Sequence, residues 1–204
     1  MNFLACTLLA DGTSDRVLKP ILDWLLDIHC PDRPHDVQFA QYLPGNPKGL
    51  SARIKSALAE YPCDMLFVHR DAETSSLQER EQEIETAWKS QSLPQQMVTV
   101  VPVRMTEAWL LLDKAAIRAA AGNPNGTVAL KLPSLSQVEM LRDPKEDLFD
   151  LLRTASGLAT GRLSAFSAPA RRHRVAELMP TFEPLRALPS FKRLEAQLHQ
   201  AFRT

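Results

Sequence analysis

Met65-Leu66-Phe67-Val68-His69-Arg70-Asp71-Ala72-Glu73 carries the main signal for the fold. Its four leading apolar residues are too short a run for a helix and suit a strand covered on both faces, and the run ends abruptly in charge. The same pattern stands at the front of the chain. Phe3 to Ala10 is an apolar run closed by Asp11-Gly12-Thr13-Ser14-Asp15, after which Val17, Leu18, Ile21, Leu22, Leu25 and Ile28 fall at helical spacing. Between these two stretches, Val37 to Leu43 alternates as a strand until Pro44-Gly45-Asn46-Pro47 breaks it, and Leu50 to Tyr61 reads as a helix. Downstream come a polar helix from Leu77 to Ser92, a strand from Met97 to Val103 and a helix from Thr106 to Ala121. Four strand–helix alternations predict an α/β layer with a largely parallel sheet.

Beyond Gly122 the texture changes. Asn123-Pro124-Asn125-Gly126 is a turn, and Val128 to Leu132 is a short strand or extended piece. Lys145–Ala155, Ala170–Met179 and Phe191–Phe202 then read as helices punctuated by prolines. The expected organisation is an α/β core over residues 1–122, with a mainly helical C-terminal region, 123–204, packed on it.

Composition excludes several classes. The 204 residues are 45% hydrophobic and 24% charged, which fits a globular chain rather than a disordered or fibrous one. The formal net charge is zero, so the whole-molecule field does not draw in nucleic acid. The charge is nonetheless uneven: 9 basic and 14 acidic residues up to Pro102, then 15 basic and 10 acidic from Val103. That asymmetry suits an acidic metal site on one part and an anion-binding surface on the other, and it suits two solvated surfaces equally well. No run approaches the ~18 apolar residues of a membrane span, and the opening residues lack a basic leader, so a soluble cytoplasmic protein without membrane contact is expected. Cys6, Cys30 and Cys63 lack C-x-x-C spacing and read as free thiols. His29, Cys30 and His35 lack a second ligand pair at zinc spacing. Leu9 occupies the nucleophile position of a D-x-D-G-T phosphatase motif, and no G-x-x-x-x-G-K-[ST] phosphate loop is present.

The acids are the candidates for chemistry. In open parallel sheets functional groups gather beyond the carboxyl ends of the strands. Asp11 closes the first strand, Asp71 and Glu73 follow the third, and Glu107 follows the fourth. Oxygen ligands of this kind suit Mg²⁺ or Mn²⁺, which bind a few carboxylates and leave positions for water and phosphate. In an extended segment the D-x-E spacing puts Asp71 and Glu73 on one side, able to share an ion with Asp11. Each acid also has a structural reading. Asp15 in particular sits in a first helical turn, where the macrodipole favours a carboxylate, and is taken as structural. His69 reads as a strand-end histidine, Trp109 as core, and Arg70 as a possible partner of the acids. Lys145, Arg171 and Arg172 are the candidates for contact with substrate phosphate.

These residues resemble a family. Ala10-Asp11-Gly12-Thr13-Ser14-Asp15 is similar to the E-G-x-[ST]-[DE] opening of Toprim domains, and His69-Arg70-Asp71-Ala72-Glu73 resembles their D-x-D. Val101-Pro102-Val103-Arg104-Met105-Thr106-Glu107-Ala108-Trp109 looks like the T-E-A-W signature of an uncharacterised bacterial family with a Toprim-like core. Asp143-Pro144-Lys145-Glu146-Asp147-Leu148 and Pro189-Ser190-Phe191-Lys192-Arg193-Leu194 echo that family's tail, so the resemblance spans nearly the whole chain. It implies a Toprim-like sheet and a Mg²⁺-dependent nuclease or related phosphoryl-transfer activity. It also implies a place in bacterial defence or mobile-element systems, with nucleic acid and a partner ATPase as partners; a non-catalytic subunit docking that ATPase is the alternative. Carried over by position, Asp11 takes the place of the general acid/base glutamate, Asp71 and Glu73 that of the metal pair, and Glu107 the acid of T-E-A-W. Two departures stand out: Asp11 is one methylene shorter than the family's residue, and Glu73 one longer.

Overall fold

The structure is a computed structural model that describes residues 3–91, 93 and 95–203. The predicted alternation forms four strands, β1 (Leu4–Leu9), β2 (His35–Phe39), β3 (Met65–His69) and β4 (Gln96–Val100). They are connected by α1 (Lys19–His29), α2 (Leu50–Glu60) and α3 (Leu77–Lys89). All pairings are parallel, in the order β2-β1-β3-β4. The chain is α/β, an all-parallel sheet flanked by helices, and is consistent with a Toprim-like fold. The predicted end of the third helix at Ser92, like Met1 and Asn2, lies outside the described residues.

Period two sorts the strand side chains between two cores. Met65 and Phe67 share the larger cluster with Leu4, Cys6 and Leu8 of β1 and with Ile21, Leu22 and Leu25 of α1. Leu66 and Val68 turn to the opposite face and pack on Ile54 and Ala57 of α2 and Ile84 of α3. The C-terminal helices are α4 (Lys114–Ala120), α5 (Leu135–Val138), α6 (Pro144–Ser156), α7 (Thr160–Leu163), α8 (Ala168–Leu178) and α9 (Pro189–Ala201). Their apolar residues, Leu148, Val175, Phe191 and Leu198 among them, belong to the first cluster, so this region shares one core with the sheet. Trp109 is fully buried there, edge-on to Phe191 at 5.3 Å, with its indole N–H donating to Ser190 Oγ at 3.1 Å.

Two predicted helices are divided. Thr106–Leu110 is a 3-10 turn, and α4 starts afresh where the Asp113 carboxylate accepts from the Ala116 N–H at 2.9 Å, an N-cap inside the apolar periodicity. Thr13–Leu18 is likewise a 3-10 turn ahead of α1, which carries Pro20 in its first turn, where a missing N–H costs nothing. Val128–Leu132 forms no strand, and the short α5 and α7 went unpredicted because one turn has too few residues to show a period.

Glu81 locks α9 to the sheet. This buried carboxylate accepts from Arg193 Nε at 3.1 Å and Gln197 Nε2 at 2.8 Å, while Gln197 Oε1 receives Thr99 Oγ1 at 2.7 Å. Glu81→Ala strands Gln197 and Arg193 and is expected to lower stability by about 2–3 kcal/mol in chemical denaturation. A loss under ~0.5 kcal/mol would mean that the network is ornamental.

Candidate functional site

Strand order reverses between β1 and β3, so the carboxyl ends of these two strands flank the crevice where ligands of open α/β sheets bind. Asp11 and Asp71 both stand at this edge, yet in different company. Asp11 is 40% exposed and has both oxygens engaged: Oδ1 accepts from Arg53 at 2.5 Å and Oδ2 from Arg70 Nε at 3.0 Å. Arg70 continues to Glu83, and Glu83 to Arg80 at 2.5 Å, giving a ladder of alternating charge from the β1 end onto α3. Burial pushes the Asp11 carboxyl up, but the two guanidinium groups outweigh it and hold it below its ordinary value. The suggested pairing of Arg70 with the acids is thus realised, and it occupies Asp11.

A second cluster lies deeper, on the side of the sheet that β3 presents through Met65, Phe67 and His69. His69 is buried, and its Nδ1 faces the Val100 carbonyl at 2.9 Å. A carbonyl can only accept, so Nδ1 carries a hydrogen and Nε2 is the working nitrogen. Around Nε2 stand Thr106 Oγ1 at 3.4 Å, Asp71 Oδ1 at 3.6 Å and Asp15 Oδ2 at 3.7 Å. The Thr106 hydroxyl donates to Asp71 at 3.1 Å. Asp15 also receives the Gly12 N–H on Oδ2 at 2.9 Å and Ser14 Oγ on Oδ1 at 3.1 Å, so its structural role is real, and the same Oδ2 faces the cluster. Burial, then the charge of Asp15 and, less, that of Glu107, push the Asp71 carboxyl up to about 6 against the pull of His69 and Thr106.

The other sequence candidates are elsewhere. Glu73 is exposed and adopts φ 53°, so the extended alternation that would align it with Asp71 ends one residue early. Its N–H donates to the Arg104 carbonyl at 3.0 Å, and Arg104, at φ 66°, returns a bond from its guanidinium to the Glu73 carbonyl. Two non-glycine residues held in the left-handed region beside one crevice are a strained pair of the kind that clusters at functional sites. Glu107 is buried and paired with Arg172, itself 9% exposed, so Arg172 is a structural cation rather than a phosphate contact. Arg171 is exposed with its guanidinium 5.9 Å from the Phe166 ring centroid, and Lys145 is exposed on the first turn of α6. His29 pairs with Glu195 and His35 with Asp27, so neither joins Cys30 at a metal.

Comparison with known protein families, curated proteins and solved structures found no match. The site is therefore read from its own chemistry. The expected metal trio of Asp11, Asp71 and Glu73 is not brought together: Asp11 is spent on arginines and Glu73 points into solvent. The acids that do meet are Asp15 and Asp71, on either side of His69 Nε2, while Glu107 reaches Asp71 only through its charge. Among the described residues no three His, Cys, Asp or Glu side chains are arranged to hold an ion by themselves. Mg²⁺ asks for less, since it binds through one or two carboxylates and completes its shell with water and substrate phosphate. Asp71 and Asp15 fit that partial role, and burial first, then the charge of Asp15, raises the Asp71 carboxyl there. Asp15 was missed because the local reading as a first-turn acid was sufficient. The Asp15–Ser14–Gly12 turn gave no sign that one oxygen would face a histidine 54 positions on.

Proposed function

We propose that this chain is a metal-dependent phosphodiester-hydrolysing enzyme, a nuclease in the broad sense, whose working groups are Asp71, Asp15 and His69. The observation that carries the reading is the convergence of these three side chains at the reversal point of a parallel sheet, with Asp71 raised to about 6. A Mg²⁺ or Mn²⁺ bound by Asp71 and Asp15 would neutralise phosphate charge and lower the proton affinity of a bound water. The chain's own contribution is proton handling and placement. His69 Nε2, oriented by its Nδ1–H bond to Val100, stands where it can exchange a proton with a group seated beside Asp71. Thr106 fixes the Asp71 rotamer, and the Glu73–Arg104 loop pair shapes the rim. A place in a bacterial defence or mobile-element system rests on the family resemblance alone.

The test is cleavage of single- and double-stranded polynucleotides with Mg²⁺ or Mn²⁺ against a chelator control. Asp71→Asn and Asp15→Asn are expected to lose roughly 10²–10⁴ of the rate, the scale of a positioned proton-transfer or ligand group. Glu73→Gln should stay within about threefold. If Glu73→Gln is dead and Asp15→Asn is active, the site is the sequence-derived trio after all. If the wild type cleaves nothing under any of these conditions, the enzymatic reading falls. The second reading, a non-catalytic docking subunit, draws on the groove of about 720 Å³ beside Leu132, Leu141 and Leu151, where Met140 is 78% exposed. It requires partner capture that Asp71→Asn leaves untouched.

A further inference from the structure

Two adjoining depressions lie over the carboxyl ends of β1 and β2. One, about 820 Å³, is bounded by Arg16 and Lys19 from the first helical layer, Phe39 at the end of β2 and Gln41 just after it, and His173 of α8. The other, about 490 Å³, holds Tyr42, Asp11 and Arg53 and shares Thr13, Phe39 and Gln41 with the first, so the two form one groove. The larger part alone is of a size that seats a mononucleotide.

The fixed charges lining this groove balance, Arg16, Lys19 and Arg53 against Asp11, Asp23 and Glu177, but most of them are already paired. Lys19 is held by Asp23 at 3.1 Å and Asp36 at 3.2 Å, Asp11 by Arg53 and Arg70, and Glu177 by Arg174 at 2.9 Å. What is left facing the cleft is Arg16 and His173, brought from two different elements into one wall. The Arg16 side chain forms no hydrogen bond or ion pair among the described residues and is exposed. Burial first, then the charge of Arg172, makes the His173 proton harder to hold, with Glu177 opposing and Arg16 adding less. The Arg16 guanidinium and a ring N–H of His173 can both donate to an anion seated between them. Beside them the 69% exposed Tyr42 and the half-buried Phe39, which also packs on the core, line the groove. Arg16 directly follows Asp15 in the chain, so this wall lies next to one member of the Asp15–His69–Asp71 cluster.

We infer that this groove seats a single-stranded polynucleotide, with one phosphate between Arg16 and His173 and its bases against Tyr42 and Phe39. Unstacked bases are free to lie on aromatic faces, whereas a duplex hides its ring faces and presents only phosphates. The inference rests on the phosphodiesterase reading for its biological sense but not for its test, which measures binding without turnover. Fluorescence anisotropy on the full chain in chelator would use labelled oligo(dT) and oligo(U) of about twelve nucleotides and a duplex of equal length, matching the usual span of such grooves. Single strands should bind at least about tenfold more tightly than duplex, with Tyr42→Ala weakening them about fivefold or more. Arg16→Glu should weaken them about tenfold and flatten the salt dependence. Both side chains are exposed, and unchanged melting temperatures would confirm that the variants fold. Binding of oligo(U) alone or of oligo(dT) alone supports the groove and identifies the sugar it accepts. Equal affinity for duplex, or indifference to Arg16→Glu, overturns it. Single-strand binding without cleavage would sink the phosphodiesterase reading and leave the groove, while cleavage with no strand preference would do the reverse.

Discussion

At pH 8, Asp71→Asn is expected to melt above the wild type by roughly 3–6 °C while losing its activity. The carboxyl is raised from the ordinary 3.8 to about 6 because its charge is buried and faces Asp15 and Glu107. A shift of that size is worth up to about 3 kcal/mol, and partial solvent access at the rim brings the expectation nearer ~1–2 kcal/mol. For a chain of this length each kcal/mol moves the midpoint by about 2–4 °C. The direction follows from linkage. A group whose folded pKa lies above its unfolded value contributes stability that is fully present below about 4 and is lost as pH rises through about 6. The wild type should therefore lose stability over that window while the asparagine variant does not, and the gap should be flat above pH 7. Asparagine keeps an oxygen to receive the Thr106 hydroxyl, so the comparison isolates the charge. Millimolar Mg²⁺ should raise the wild-type midpoint and leave the variant unmoved. A variant that melts below the wild type at pH 8 would show that Asp71 is already balanced by a cation in the free protein, and would overturn this account of the site.

The layer order was legible because β1 and β3 are short apolar runs bounded by turn residues, β2 alternates, and each connecting helix shows its own period. Met65–Val68 is the clearest case, since four apolar residues in a row can alternate between two buried faces. The edge of the sheet was legible too: Asp11, Asp71 and Glu107 do stand beyond strand ends. What each acid does there was not. Whether a carboxylate is free depends on partners distant in sequence, and Arg53, 42 positions from Asp11, carries no local mark of that pairing. Glu73 failed for a backbone reason, because D-x-E aligns two acids only while the chain stays extended, and φ 53° at Glu73 ends that. Asp15 shows the converse: the cap that explained it used the same Oδ2 that also faces His69, and nothing local signalled that second contact.

Arg172→Met alone is expected to cost about 3–5 kcal/mol, which for this length is a fall in midpoint of roughly 10 °C or more. The guanidinium and the Glu107 carboxylate are both buried, and removing one leaves the other charged with little water to solvate it. The pair itself adds little over an apolar match, because taking two ions out of water offsets most of their attraction. Glu107→Gln with Arg172→Met should therefore recover most of the loss, and the coupling in the double-mutant cycle should exceed about 2 kcal/mol. Additive losses would mean that each side chain is held by its own packing and that the ion pair is incidental. The same cycle reaches the chemistry. Glu107 already pushes the Asp71 carboxyl upward, and stripping its counter-charge strengthens that push. The acid limb of the pH–rate profile should accordingly move to higher pH in Arg172→Met and return in the double variant, a displacement that loss of fold alone does not produce. Glu107 then acts on the reaction through Asp71, and the arginine first taken for a phosphate contact sets how much of that influence is felt.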